Sequence, residues 1–395
     1  MADALRGRTH DVVVVGAGIV GLACAWRAAQ RGLRVAVVDR GGAGGAASSA
    51  AAGMLAPVTE AEFGEEALLA LNLAGAALWP AFAAELAERS GLDTGFRECG
   101  ALVVATDRDD LEEVRRLHAF QRSLGLDAEW LGGRDCRRLE PGLAPRVSGG
   151  VLAPHDHQAD PRATTAALRA ALEHEGGELY EGVEVTGAEQ TGVDELTLTT
   201  PAGPIHAGRV VLAAGAWSAA LAPDAPPVRP VKGQILRLRE PREALHPLSE
   251  RIVRTPRCYV VPRPGGEVVV GATVEERGFD ASVTAGAVQR LLEAAWEALP
   301  DVEERELTET SASFRPATPD NAPVVGPGSH EGLIWATGHN RNGVLLAPIT
   351  AAAVADLLTG TQPPPRGEKG GGSDPSPAVS AFAAFGPERF ARATA

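Results

Sequence analysis

The feature that most constrains the fold lies close to the beginning of the chain. Residues 11–15, an aspartate followed by four valines, are typical of a strand buried on both faces of a parallel sheet. A turn with the spacing G-x-G-x-x-G follows, carried by Gly16, Gly18 and Gly21, and opens a segment of helical periodicity. A second strand-like run then ends in an acid, Asp39. This order, with an acid about 20 residues after the turn, predicts a dinucleotide-binding βαβ unit.

Each residue of this unit has a physical role in the prediction. Gly16 permits a tight turn, Gly18 lets the backbone approach a pyrophosphate, and Gly21 lets the helix sit close to the strand. The pyrophosphate then meets the positive N-terminus of the helix. Asp39 suits the hydroxyl pair of a ribose and repels a 2′-phosphate, which disfavours NADP. FAD and NAD both remain open at this point.

The composition favours a globular, acidic protein long enough for two domains. The chain has 395 residues, of which 37 are Lys or Arg and 51 are Asp or Glu, for a net charge of −14. Such a surface is repelled by nucleic acid and by anionic membranes. Residues 1–10 lack the apolar stretch of a signal peptide, and no apolar run reaches the roughly 18 residues that span a bilayer. The cysteines lie far apart, so we expect reduced thiols in a cytoplasmic protein: Cys24, Cys99, Cys136 and Cys258.

Periodicity predicts further elements along the chain. Residues 65–90 are expected to form a helix that Pro80 divides or kinks, and residues after 360 to form a disordered linker as far as 376. The segment 381–395 is expected either to dock back or to hang free. Other helices are predicted over 109–124 (capped by Asp107 or Asp109), 161–174, 285–299 (capped by Thr284) and 344–358, and strands over 100–105, 149–153, 180–189, 195–200, 205–214, 232–239, 251–263, 267–273 and 333–336. The antiparallel character of 232–273 predicts a second domain.

Two stretches of small residues indicate places where the backbone passes close to a ligand. Residues 41–53 consist mostly of Gly, Ala and Ser and follow the second strand directly; a flexible linker is the alternative. Residues 209–218 run from a buried strand into a small-residue turn, which repeats the chemistry of the first turn. An ordinary core strand is the alternative for that stretch.

A cluster of polar residues at 155–160, His-Asp-His-Gln-Ala-Asp, is compatible with a metal site. No second pair of ligands supports it, so we predict no metal. Asp160 followed by Pro161 is better explained as the N-cap and first residue of a helix.

Together these motifs resemble the D-amino-acid oxidase (DAO) family of FAD-dependent amine oxidases, and within it the glycine oxidases of bacterial thiamine biosynthesis. The resemblance covers roughly residues 10–360 and rests on the order and spacing of short motifs. These are GAGIVG at 16–21 with Asp39, SSAAAGML at 48–55, VKG at 231–233, CYVVPR at 258–263, GAT at 271–273, FRP at 314–316 and GHNRNGVLLAP at 338–348.

The resemblance implies an α/β fold in which a Rossmann-like FAD-binding domain is interleaved with an antiparallel-sheet substrate domain. FAD-binding segments are then expected at 1–84, 151–220 and 313–360. Substrate-domain segments are expected at 85–150 and 221–312, with a flexible C-terminal tail at 361–395.

The resemblance also implies the residues of the site. Arg315 would bind the substrate carboxylate, Tyr259 would contact the substrate, and Arg341 would line the same pocket. The loop 338–343 would lie along the pyrimidine edge of the flavin, with a helix N-terminus behind it that stabilises negative charge. The residues implied to contact FAD are Gly16, Gly18, Ile19, Val20, Gly21, Asp39, Arg40, Ser48, Ser49, Ala52, Gly53, Met54, Val185, Ala214, Gly215, Trp217, Gly338, His339, Asn340, Arg341, Asn342, Gly343 and Val344.

From the residues alone, Arg315 is also compatible with a salt-bridge arginine, and Tyr259 with a tyrosine that packs in a sheet. For His339 a role in ordering the loop is favoured over that of a base, because hydride loss from a neutral amine needs no protein base.

The chain departs from the glycine oxidases at Asn340, where they usually carry an aromatic residue, and at Arg257 and Val274. These departures bear on substrate fit. Residues 311–315 contain no cysteine, so FAD is expected to be bound non-covalently.

The expected activity is oxidation of glycine, and of small amines such as sarcosine and D-alanine, with molecular oxygen as the second substrate. An alternative on the same fold is an amine dehydrogenase that uses another electron acceptor, and a third possibility is a non-catalytic or RNA-modifying flavoprotein. The acidic chain argues against RNA, and no basic or amphipathic membrane anchor is apparent. A homo-oligomer stays possible.

Overall fold

The computed structural model describes residues 10–192, 195–241, 246–360 and 376–390. Its first sheet contains the predicted βαβ unit. The strands are β1 (Val12–Val15), β2 (Val35–Asp39), β8 (Glu178–Glu181), β12 (Arg209–Leu212), β18 (Val324–Pro327) and β19 (Leu333–Thr337). They lie in the order β18-β19-β12-β1-β2-β8, and all neighbours are parallel except β18 and β19. Both faces of β1 are buried, which explains its unbroken run of valines.

Helices cover one face of this sheet. They are α1 (Ile19–Gln30), α3 (Glu66–Ser90), α6 (Pro161–His174) and α8 (Gly343–Leu358). Val12 and Val14 point into the core that these helices share, and Val13 and Val15 point to the opposite face. That opposite face is covered by a three-stranded antiparallel sheet of β9 (Gly187–Gln190), β10 (Leu196–Thr199) and β11 (Ile205–Ala207).

A second large sheet has eight strands and is mostly antiparallel. They are β4 (Ala101–Ala105), β5 (Glu129–Gly132), β6 (Gly149–Ala153), β13 (Arg229–Arg239), β14 (Ile252–Arg254), β15 (Tyr259–Pro262), β16 (Glu267–Gly271) and β17 (Glu306–Ala317), in the order β17-β13-β16-β15-β14-β4-β6-β5. Four further helices and two short strands lie elsewhere in the described part of the chain: α2 (Ala46–Ala50), α4 (Arg108–Ser123), α5 (Gly133–Leu139), α7 (Ala285–Ala298), β3 (Met54–Leu55) and β7 (His157–Gln158). The predicted α/β fold with a Rossmann-like part and an antiparallel part is confirmed; the exact domain boundaries stay a prediction.

Capping residues behave as their sequence context predicts. The Asp160 carboxylate accepts hydrogen bonds from the N–H groups of residues 162 and 163, and Thr284 and Asp107 cap α7 and α4 in the same manner. Asp107, and not Asp109, is therefore the cap of α4.

Several predicted elements differ in the structure. Helix α3 is continuous through Pro80, so the proline does not divide it. The predicted strand 205–214 is two strands that belong to different sheets, β11 and β12, and 180–189 is interrupted between β8 and β9. The predicted strand 251–263 is likewise the hairpin of β14 and β15. Small-residue stretch 41–53 contains the short helix α2. The division of the three predicted strands depends on pairing between distant parts of the chain, which the periodicity of the sequence does not reveal.

Helix α3 also corrects the expectation that no apolar segment is long enough to cross a bilayer. By length and composition alone its 25 residues meet that criterion. It packs against α6 and α8, and 44% of its most apolar window is buried inside the protein. Trp79 is wholly buried, and its indole N–H donates to the carbonyl of Leu345 at 3.0 Å. These contacts are those of a core helix.

The C-terminal segment docks on the first sheet where the structure describes it. Helix α9 (Pro377–Ala381) and the turn after it bury Phe382 and Phe385, and the N–H of Val325 donates to the carbonyl of Phe385 at 3.1 Å. Arg389 pairs with Asp320 at 2.8 Å. A flexible tail was predicted for 361–395; residues 376–390 are instead packed, and the linker 361–375 and residues 391–395 lie outside the described residues.

Candidate active site

A cavity of about 1480 Å³ lies between the two large sheets. The carboxyl ends of β1, β2, β12 and β19 reach it from one side, which is where open parallel sheets bind ligands. Strands β13–β17 of the second sheet form much of the opposite wall. The volume exceeds that of a typical small-molecule pocket, roughly 300–1,000 Å³, and leaves room for an extended dinucleotide and a small substrate.

Most residues predicted to form the site line this cavity. The exceptions are Gly21, Ser49, Gly338 and Asn342. Gly21 lies behind the turn, where its missing side chain lets α1 approach β1. The carbonyl of Ser49 instead accepts hydrogen bonds from two arginines outside the cavity, Arg162 and Arg237. Contact with FAD through Ser49 is therefore not favoured by its position.

The glycine turn lies at the end of the cavity that β1 approaches, and its glycines leave little room for side chains. A Cβ on Gly16 would come within 2.4 Å of the carbonyl oxygen of Ala213, and a Cβ on Gly18 within 3.3 Å of the Ser48 hydroxyl. Helix α1 begins at Ile19, whose N–H donates to that hydroxyl at 3.0 Å. The N–H groups of a first helical turn have no acceptors inside the helix. The turn thus presents a positive helix end and open backbone to an anionic ligand.

Asp39 closes the same end of the cavity. One carboxylate oxygen accepts from the N–H of Ala17 at 2.8 Å and the other from the N–H of Gly41 at 2.7 Å. An ionised carboxylate can accept about four hydrogen bonds, so it keeps capacity for a hydroxyl pair. Next to it the guanidinium of Arg40 lies 3.8 Å from the ring centroid of Trp217, which gives this rim a flat cationic surface.

The loop between β19 and α8 borders the cavity at another point. His339 is buried, and its Nε2 lies 3.0 Å from the Thr350 hydroxyl. Burial lowers the pKa of its imidazole to about 3, so the ring is neutral. This contact favours the predicted loop-ordering role over that of a base. The positive charge at this point comes from the N-terminus of α8, whose first turn carries no acidic residue.

Asn340 has a physical reason to replace an aromatic residue in this loop. Its backbone is left-handed, with φ of +47°, a conformation that asparagine tolerates better than most residues. Its amide donates to the side-chain oxygen of Asn321 at 3.3 Å, and Asn321 in turn donates to Glu65 at 3.0 Å. The loop is therefore tied to the N-terminal end of α3.

Two glycines of the second sheet make room for the predicted substrate-binding side chains. A Cβ on Gly233 would lie 2.5 Å from the guanidinium of Arg315, and a Cβ on Gly271 would lie 2.5 Å from the phenol oxygen of Tyr259. The two side chains thus extend over neighbouring strands from opposite sides and converge. Burial raises the pKa of Tyr259, although the Arg315 charge opposes the shift, so the phenol stays protonated and can donate a hydrogen bond.

Three arginines that line the cavity differ in how their charges are balanced. Arg254 pairs with Glu60 at 3.3 Å, and Arg341 pairs with Glu62 and Glu65 at 2.6 and 3.0 Å. Arg315 donates to the carbonyl of Thr273 at 3.0 Å.

Within the described ranges no carboxylate lies within ion-pair distance of Arg315. Of these three arginines, it is the one whose charge calls for an anion from outside the protein. Arg341 lines the pocket as predicted, but its charge is already matched.

Comparison with known proteins settles the family. Residues 11–357 match the model of the family described as "DAO: FAD dependent oxidoreductase". The glycine oxidase of Geobacillus kaustophilus is 37% identical over 355 residues, which are 88% of this chain and 93% of that protein. Its crystal structure superposes with a TM-score of 0.83 and covers 89% of this chain and 95% of that one.

The chain belongs to the DAO family of FAD-dependent oxidoreductases. Its cofactor is therefore FAD, which decides between the two nucleotides that the glycine turn left open. A glycine oxidase structure from Bacillus cereus is 31% identical with a TM-score of 0.82, over 90% of this chain and 96% of that one. The bifunctional protein ThiO/ThiG of Trichormus variabilis is 38% identical over 351 residues, 89% of this chain. This chain spans only about half (53%) of that relative's length.

The residues of this DAO-family chain suit FAD. The open glycine turn and the helix α1 terminus match a pyrophosphate, Asp39 matches a ribose, and the α8 terminus matches the electron-rich edge of a flavin. These assignments of single residues stay predictions. Sequence reasoning missed Glu60 and Arg254 as cavity residues. Only strand register places Arg254 beside Tyr259, and no local pattern marks Glu60.

The polar cluster at 155–160 has a structural explanation in this enzyme. Asp156 is wholly buried, and its carboxylate accepts from the N–H groups of Val58 and Thr59 at 3.1 and 2.7 Å. It thereby holds the turn that carries the cavity residues 59–63. Among the described residues no group of three or more His, Cys, Asp or Glu could hold a metal ion.

Asp156 is expected to make stability depend on pH. Burial raises the pKa of its carboxyl from 3.8 to about 6, so the folded protein binds this proton more tightly than the unfolded chain. The resulting contribution is fully present below about pH 4 and is lost as the pH rises through about 6, a change of about 3 kcal/mol at 1.36 kcal/mol per pKa unit. Urea unfolding across this range should show wild type losing stability relative to Asp156→Asn as the pH rises. Asp127→Asn, which alters an exposed carboxylate, is the matched control. A constant difference between wild type and Asp156→Asn would contradict this expectation.

Proposed function

We propose that this chain oxidises glycine, with water and molecular oxygen, to glyoxylate, ammonia and hydrogen peroxide. One observation carries the proposal. Arg315 has no carboxylate partner in the described part of the chain. Its guanidinium and the protonated phenol of Tyr259 converge above two glycines, on the wall of the cavity that suits FAD. A guanidinium fork and a phenol are suited to hold one carboxylate. The similarity to glycine oxidases over most of the chain supports the same substrate class.

In the proposed mechanism the side chains position the substrate. Arg315 binds the carboxylate as a bidentate partner, Tyr259 donates a further hydrogen bond to it, and together they fix the α-carbon. FAD, which the glycine turn and Asp39 would hold, would supply the redox chemistry, as the acceptor of the hydride from that carbon and the donor of electrons to oxygen. The amine must be neutral when the hydride leaves, since only the neutral amine has the lone pair that drives this loss. Burial lowers the pKa of His339 to about 3, so its imidazole binds a proton only weakly and is a poor base, in agreement with a reaction that needs none.

Substrate size is proposed to set the selectivity. Glycine has no side chain, so discrimination can come only from excluding bulk, and a pocket that excludes one or two methylenes discriminates by about 10–200-fold. Sarcosine and D-alanine are then slower substrates and large D-amino acids fail. We further propose that the chain acts in the cytoplasm and that its product enters thiazole synthesis for thiamine; the resemblance to ThiO/ThiG proteins supports the second point.

A substrate panel with an oxygen electrode and a peroxide assay tests the function. Glycine is expected to have the highest kcat/KM of the panel glycine, sarcosine, D-alanine, D-proline and D-phenylalanine, with one peroxide per oxygen consumed. Parallel assays with an artificial dye separate an oxidase from a dehydrogenase, which would turn over with the dye alone. Higher efficiency with D-phenylalanine or D-proline would refute glycine as the substrate and leave the family assignment intact.

A further inference from the structure

A row of cavity residues crosses the second sheet beside the proposed carboxylate site. Arg254 of β14 is directly opposite Tyr259 of β15, and Tyr259 is directly opposite Gly271 of β16. Residues opposite each other on neighbouring strands share a face of the sheet, and all three line the cavity. Two strand spacings, about 10 Å, separate the backbone of Arg254 from that of Gly271. A side chain as long as that of arginine can therefore reach a small ligand held above Gly271.

Glu60 is the residue that balances Arg254. Its carboxylate lies 3.3 Å from Nη1 of Arg254, its side chain is only 14% exposed, and it lines the cavity. The same Nη1 donates to the Thr59 carbonyl at 3.0 Å. Asp156 holds the N–H groups of the turn from beneath, so the position of Glu60 is fixed by groups on other elements.

The charges on this wall therefore admit a single substrate carboxylate. Arg315 is free to bind one, whereas Arg254, next in line across the sheet, is already neutralised. A second carboxylate on the substrate would have to displace Glu60 and would meet its negative charge. A glutamine at this position would keep the shape of the side chain, remove the negative charge and leave Arg254 without a carboxylate partner.

We propose that Glu60 is a specificity-determining residue that excludes substrates with a second carboxylate by occupying Arg254. The proposal rests on the proposed function, because it takes Arg315 as the site of the first carboxylate. The excluded class consists of small N-substituted or α-substituted amino diacids, of which iminodiacetate is the simplest.

Ligand binding tests the proposal without relying on turnover. Methoxyacetate and oxydiacetate are matched compounds that carry one and two carboxylates and have an ether oxygen in place of the amine, so neither can be oxidised to an imine. Calorimetric titration of the FAD-loaded enzyme would yield the ratio of their dissociation constants, methoxyacetate over oxydiacetate. In Glu60→Gln, the second carboxylate of oxydiacetate could form a charge-assisted hydrogen bond with Arg254, and such a bond strengthens binding by about tenfold or more. Glu60→Gln is therefore expected to raise this ratio at least tenfold.

Glu62→Gln is the matched control. It removes the same charge from the same turn, but its carboxylate pairs with Arg341 instead of Arg254, so the ratio should stay within threefold of wild type. The double variant Glu60→Gln/Arg254→Gln should return the ratio to the wild-type value. An equal rise in Glu62→Gln, or no rise in Glu60→Gln, would overturn the proposal.

Wild-type enzyme provides a second test that does not depend on a variant folding. It is expected to bind oxydiacetate no more tightly than methoxyacetate, and tenfold tighter binding of oxydiacetate would overturn the proposal. If wild type binds neither compound, the carboxylate site of the proposed function itself is wrong. With substrates, the efficiency of iminodiacetate relative to sarcosine should rise in Glu60→Gln by the same factor as the binding ratio.

Discussion

Replacing Arg315 with alanine is expected to weaken the apparent affinity for glycine by about a hundredfold or more. A bidentate guanidinium–carboxylate pair has two charge-assisted hydrogen bonds, each contributing roughly 1.5–3 kcal/mol, and each 1.4 kcal/mol is a factor of ten. Arg254 and Arg341 are both paired with carboxylates, so neither is a ready substitute for Arg315. The KM for glycine and the dissociation constant of methoxyacetate are the quantities to measure.

One further variant at this position separates geometry from charge, and one variant elsewhere in the cavity is a control. Arg315→Lys keeps the charge but loses the planar fork, so its affinity should fall between those of wild type and Arg315→Ala. Arg116→Ala removes a charge from an exposed residue that also lines the cavity, and it should change the affinity by no more than a few-fold. If Arg315→Ala retained its flavin and wild-type kinetics, the carboxylate would have to bind elsewhere.

Substituting Gly21 with alanine is expected to abolish most FAD binding and to destabilise the fold by about 3 kcal/mol or more. A Cβ at this position would lie 1.9 Å from the carbonyl oxygen of Gly16, so α1 would have to move away from β1. That movement would shift the helix terminus and the glycine turn that are predicted to bind the pyrophosphate. The free energy of unfolding and the flavin content per chain are the measurements.

Gly286→Ala is the matched control for that substitution. Gly286 lies in the first turn of α7, and a Cβ there would meet only the flexible end of Arg290 at 3.3 Å. Alanine in a helix is favoured over glycine by up to about 1 kcal/mol, so the two variants should differ in sign. Acid precipitation should release the flavin of wild type and of Gly286→Ala into the supernatant, as non-covalent binding requires. Full flavin content in Gly21→Ala would show that the close contact is not needed.

Features that depend on neighbours in the chain were accessible from the sequence. The glycine turn, the flanking strands and the acid at Asp39 are all within about thirty residues, and their geometry is imposed by steric rules that act locally. The caps at Asp160 and Thr284 follow from the same kind of short-range hydrogen bonding. The resemblance in motif order then predicted the two-part fold and the substrate-binding roles of Arg315 and Tyr259.

Features that depend on distant parts of the chain came only from the tertiary structure. The partition of 205–214 between two sheets, the continuity of α3 through Pro80 and the packing of Phe382 and Phe385 all follow from contacts that periodicity does not encode.

The charge balance of the site is the clearest case of a feature that only the tertiary structure decides. Glu60 and Arg254 are far apart in sequence and pair because β14 places Arg254 beside Tyr259 while Asp156 holds the turn of Glu60. The sequence by itself determined the cofactor-binding unit and the chemical types of the site residues, because those are local properties. Which arginine is free to bind a substrate was decided only by the tertiary structure, because ion pairing depends on distance in space.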